Sequence, residues 1–77
     1  MNLRLVDRSV RSVHQHRQSM VRQMARDLVR YDAHANEADS IRSLFGRGYS
    51  MVDIVILIDD ARQVAMQEIV AREMAKP

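Results

Sequence analysis

The chain has 77 residues and holds 12 Lys and Arg against 10 Asp and Glu, with no cysteine. That length makes a single domain with a small core, and the missing thiols exclude a disulfide framework and any Cys-based metal site. The longest uninterrupted apolar run, Ile54 to Ile58, is far short of a bilayer-spanning segment, and the composition suits a cytoplasmic location.

The charge is unevenly placed. Residues 1–36 carry seven Arg against three Asp, whereas residues 37–77 carry five basic residues against seven acids. A basic half invites an acidic partner. The N-terminal stretch is Arg- and Ser-rich like a transit peptide. Its apolar rhythm nevertheless runs on without a break, so it reads as part of the folded body.

The first element is helical. Leu3, Val6, Val10, Val13, Met20, Met24, Leu28 and Tyr31 recur at intervals of three or four, with Arg17 in the one missing slot. The rhythm is close to a heptad seam and predicts a helix over about residues 8–35. Residues 1–6 read either as its frayed first turns or as a short extended arm. Arg4, Arg8, Arg11, Arg22, Arg26 and Arg30 lie off the stripe and form a basic face.

Small and polar residues, "HANEADS", then break the pattern. Asn36 suits an N-cap, with Asp39 three residues on. The second helix is expected over about 37–45, burying Ala38, Ile41, Leu44 and Phe45. A turn, "GRGYS" at 46–50, follows, in which Gly46 or Gly48 takes the left-handed conformation that ends a helix and Phe45 and Tyr49 pack to set the corner. Ser50 followed by Asp53 repeats the cap signature. The third helix is expected over about 51–75, with Ile54, Leu57, Ile58, Ala61, Val64, Ala65 and Ile69 as its main stripe.

The run "VDIVILIDD" has a second reading, as a buried strand ending in two aspartates that hold a metal. A parallel strand needs paired edges and covered faces, and the only other strand candidate is residues 1–6. No turn residue separates the run from the helical "ARQVAMQEIVAREMA". The helical reading is therefore preferred.

The segment "SIRSLFGRGYSMVDIVIL" is similar to the general helix-turn-helix pattern of a short helix, a glycine turn and a capped second helix. That resemblance implies a DNA-binding regulator using residues 38–58 together with the basic first helix. Its chemistry points the other way. A recognition helix presents donors to bases and phosphates at its N-terminal end, whereas Met51, Val52, Asp53, Asp59 and Asp60 stand here.

Five consecutive apolar residues cover more than a full turn of helix, which leaves Ile56 between Asp53 and Asp60 on the outward side. The simplest cover is a second copy. A homodimer, intertwined or side by side, is expected, with Ile54, Ile56, Leu57 and Ile58 in its seam.

Nothing points to catalysis. His14 and His16 are about 200° apart on a helix and cannot share an ion. No nucleophile stands out, and Glu68 and Arg72 have ordinary ion-pair spacing. Met20, Met24, Met51, Met66 and Met74 suit either a core or a pliable groove. The reading is an all-α chain, residues 1–77 forming one helical domain, with no enzyme activity, cofactor or metal and no membrane segment. Its expected role is a small regulatory or adaptor protein that binds another protein through helical surfaces. A mobile-element or phage-type inhibitor of a host protein is one form of that role, with nucleic acid as the alternative partner.

Overall fold

The computed structural model describes the backbone of residues 3–76 and the side chains of residues 15–76. Three helices follow in chain order: α1, Leu3–Arg30; α2, Glu37–Gly46; and α3, Met51–Ala75. No strand occurs among the described residues, so Ile54 to Ile58 lie within a continuous helix. At 1.5 Å per residue, α1 and α3 are rods of about 42 and 37 Å.

Each helix starts and stops for a local reason. The Asn36 side chain accepts the Asp39 amide at 3.2 Å and opens α2, and the Ser50 hydroxyl oxygen accepts the Asp53 amide at 3.1 Å and opens α3. At the end of α2, Gly48 adopts φ +98°. The Tyr49 amide reaches back to the Leu44 carbonyl at 3.3 Å and the Gly48 amide to Phe45 at 3.1 Å. This double closure is a Schellman motif.

The same motif ends α1 five residues earlier than the sequence suggests. Asp32 takes the left-handed position at φ +53°. The Ala33 amide donates to the Leu28 carbonyl at 2.8 Å and the Asp32 amide to Val29 at 3.2 Å. Leu28 and Ala33 are both buried, and burying the apolar pair that brackets the turn favours stopping there over running on to Ala35. At the other end of α1, the backbone at residues 3–6 is helical, not an extended arm.

The core is small. Val21, Met24, Ala25 and Leu28 of α1 meet Leu44 of α2 and Ile54, Leu57, Ile58, Ala61 and Ala65 of α3. Ile41, Tyr49 and Val64 pack against its edge. Within α2 the expected inward set is corrected. Ala38 and Phe45 are exposed, and Ser40 is fully buried beside Leu44. Successive helical residues turn about 100°, so Phe45 faces well away from Leu44, whereas Ser40, four residues before Leu44, shares its face. The Ser40 hydroxyl is satisfied there, donating to the Ala33 carbonyl and lying 2.9 Å from the Asn36 carbonyl oxygen.

The chain is flat and extended. Its radius of gyration is 15.1 Å and its thinnest extent 15 Å, whereas a compact domain of this length has a radius of about 11–12 Å. Two long helices packed mainly on each other, with only a short third beside them, cannot enclose a core on all sides.

Candidate functional site

The outward side of α3 is the most unusual surface. Ile54, Leu57 and Ile58 are spent inside the chain's own core, so of the four residues expected in a dimer seam only Ile56 is on the surface. Val52, Val55 and Ile56 stand exposed near the N-terminal end of α3, and Met66, Val70 and Met74 stand exposed near its C-terminal end. Asp59 and Gln63 lie between these groups, also exposed. The helix is apolar on the face it packs and again on the face it does not, a pattern of elements covered on more than one side.

The methionines divide accordingly. Met24 is fully buried and Met20 partly buried, whereas Met51, Met66 and Met74 are exposed. Met66, Val70 and Met74, with Gln63, Gln67 and Ala71, line a shallow groove. It is an open apolar surface suited to a side chain from another molecule.

Of the basic face of α1, Arg22, Arg26 and Arg30 are exposed, one helical step apart. They flank α3: Arg22 borders a depression with Asp60, Gln63 and Gln67, and Arg26 and Arg30 border another with Glu68 and Arg72. Arg22 and Arg26 border a shallow polar depression with Ser19 and Gln23. The side chains of Arg4, Arg8 and Arg11 lie outside the described residues. Arg17, which fills the vacant slot in the apolar rhythm, reaches over to Asp60 at 3.6 Å, with both side chains about half exposed. An ion pair so open to water contributes little.

Contacts that the sequence does not reveal hold the two corners. The Tyr49 hydroxyl donates to the Asp27 carboxylate at 2.8 Å, linking the turn before α3 to α1 across 22 positions of sequence. Partial burial, and the carboxylate that would face a phenolate, raise the Tyr49 pKa well above its ordinary value of 10.0. Arg62 donates to the carbonyls of His34 at 3.1 Å and Ala35 at 3.2 Å, clasping the α1–α2 connection onto α3. The Arg47 guanidinium stacks 3.6 Å from the centre of the Tyr31 ring, so the residues capping the ends of α1 and α2 rest on each other. Tyr49 therefore does pack at the corner as expected, whereas Phe45 does not.

Of the turn residues, Gly46 is the last of α2, Gly48 supplies the left-handed step and Ser50 caps α3. Four residues, 47–50, separate the two helices. No group of three or more His, Cys, Asp or Glu suited to a metal occurs among the described residues. No helix there is long and apolar enough to cross a membrane. Compared with models of known protein families, with curated proteins and with solved structures, the chain matches none.

Proposed function

We propose that this chain is a small, non-enzymatic regulatory or adaptor protein of the cytoplasm that self-associates and acts by binding another protein through its helical surfaces. The observation that carries this reading is the outward face of α3, where Val52, Ile56, Met66 and Val70 lie in water on a chain too flat to cover them. Apolar patches of this kind mark interaction sites. The exposed Arg22, Arg26 and Arg30 of α1 supply a second surface of opposite character, suited to an acidic partner. An inhibitor carried by a phage or mobile element to act on a host protein fits this description, because binding alone suffices for its action.

The second reading is a DNA-binding regulator. What favours it is the short turn between α2 and α3, within the range of helix-turn-helix connections, together with the exposed Arg22, Arg26 and Arg30. What favours the protein partner is the surface of α3 itself. Its first turns display Val52, Val55 and Ile56, followed by the exposed Asp59, so the end of the helix that would enter a groove presents apolar side chains where base-edge donors are needed, and a negative charge toward phosphate.

The test combines mass and binding. Sedimentation at micromolar concentration is expected to give twice the chain mass, and Ile56→Asp, at an exposed position, is expected to halve that mass without loss of helix. A pull-down from the source cell, with and without nuclease, separates the two partner classes. Arg22→Glu with Arg26→Glu should abolish a captured protein that resists nuclease. Capture of nucleic acid instead, weakening steeply with salt, would favour the DNA reading.

A further inference from the structure

Resting on the self-association proposed above, we infer that α3 pairs antiparallel with α3 of a second copy, in a register set by Asp59 of each chain meeting Gln63 of the other. The outward residues of α3 follow a strict alternation. Val52, Ile56, Asp59, Gln63, Met66 and Val70 are spaced four, three, four, three and four, and every one is exposed. That is the spacing of a two-helix seam, and the structure leaves the whole of it unused.

The order of residue types along the seam decides the orientation. Two apolar positions, two polar ones and two apolar ones follow in turn. In an antiparallel pair centred between Asp59 and Gln63, Val52 meets Val70, Ile56 meets Met66 and Asp59 meets Gln63. Twofold symmetry repeats each of these layers. The Gln63 amide then donates to a carboxylate that would otherwise lose its water, twice per dimer. The groove lined by Met66, Val70 and Met74 receives Ile56 and Val52 of the other copy. A parallel pair would instead set Asp59 against Asp59, two like charges drawn out of water at one layer. A polar residue within a seam commonly fixes register in this way, at some cost in stability.

The surface is large enough for the purpose. Val52 is 67% exposed, Ile56 60%, Val70 51% and Met66 46%. With Val55 and Met74 beside them these side chains leave on the order of 600 Å² in water in two groups, at the upper end of what a monomer exposes, and Asp59 and Gln63 between them bring the face toward the ~800 Å² per partner of a standard interface.

The chain has no cysteine, so single-cysteine variants report the geometry directly. Val52→Cys and Val70→Cys, both at exposed positions, are treated with a short bis-maleimide, each alone and after equilibration as an equal mixture, with helix content checked by circular dichroism. The expected result is a cross-linked heterodimer in the mixture and little cross-linking of either variant alone, because in this register the two copies of residue 52 are ~27 Å apart. Efficient cross-linking of each variant with itself would overturn the antiparallel orientation while leaving self-association standing. A sedimenting dimer with no cross-link in any combination would place the seam on another face and overturn the pairing. A monomer at all concentrations would overturn self-association itself. As a further check, Asp59→Leu with Gln63→Leu should keep the dimer but allow self-cross-linking of Val52→Cys, since the device that excludes the parallel register is gone; strict hetero-cross-linking in that background would overturn the role given to Asp59 and Gln63.

Discussion

The two corners use the same turn with different residues in its left-handed position, and substitutions there should move stability in opposite directions. A side chain added at Gly48 would meet nothing within 4 Å, so the cost of Gly48→Ala lies in the backbone alone. A non-glycine residue in the left-handed region costs about 1–2 kcal/mol, offset by about 0.4–1 kcal/mol from the smaller freedom of the unfolded chain. The net is about 1 kcal/mol, and Gly48→Val costs more because its branched Cβ tolerates positive φ poorly. For a domain of this size that is about 4–8 °C in Tm. At Asp32, already at φ +53°, the change to Gly relieves the strain. It sacrifices only a 3.7 Å approach to His34 by a carboxylate that is 94% exposed. After the added freedom of the unfolded chain, a gain of about 0.5 kcal/mol is expected. Thermal melts followed by circular dichroism at one fixed chain concentration measure both, since the proposed self-association would make Tm depend on concentration. An unchanged Tm for Gly48→Ala, or a fall for Asp32→Gly, would refute the assignment of these turns.

The remaining predictions concern the contacts and caps around the core. Tyr49→Phe removes a hydrogen bond to a charged group and should cost about 1.5 kcal/mol, the low end for such bonds because the site is only partly buried. The folded pKa of Tyr49 is raised above its ordinary 10.0. Its contribution is therefore fully present below about pH 10 and is lost as the pH climbs from there toward the folded value. Urea titrations from pH 8 to 11 should show that loss in the parent chain and a shallower one in Tyr49→Phe; parallel curves would show that the bond does not form. Ser50→Ala should cost about 1 kcal/mol through the lost cap of α3, read as a lower urea midpoint with unchanged slope.

Much of the fold was legible because its signals are local. Asn36 with Asp39, Ser50 with Asp53, and the left-handed Gly48 each act over three or four residues, and the structure places these caps and turns where the sequence marks them. The strand reading of Ile54 to Ile58 failed for the same reason, since the run continues into helical sequence without a turn residue. The close of α1 was not legible. Tyr31 to Ala35 contain neither Gly nor Pro, and the helix stops at Arg30 because Ala33 folds back beside Leu28 in the core.

The candidate surface shows the division most clearly. That α3 is too apolar to be wet on one whole side follows from five consecutive apolar residues, each turned about 100° from the last. Which of them meet the chain's own core and which meet water is beyond the sequence, because periodicity loses its direction when apolar residues surround the helix. Packing against α1 and α2 settles it: Ile54, Leu57 and Ile58 go inward, and Val52, Val55 and Ile56 outward. The bond from Tyr49 to Asp27 and the clasp of Arg62 on His34 and Ala35 join residues 22 to 28 positions apart. Their partners become neighbours only when the helices cross, so tertiary structure alone creates them.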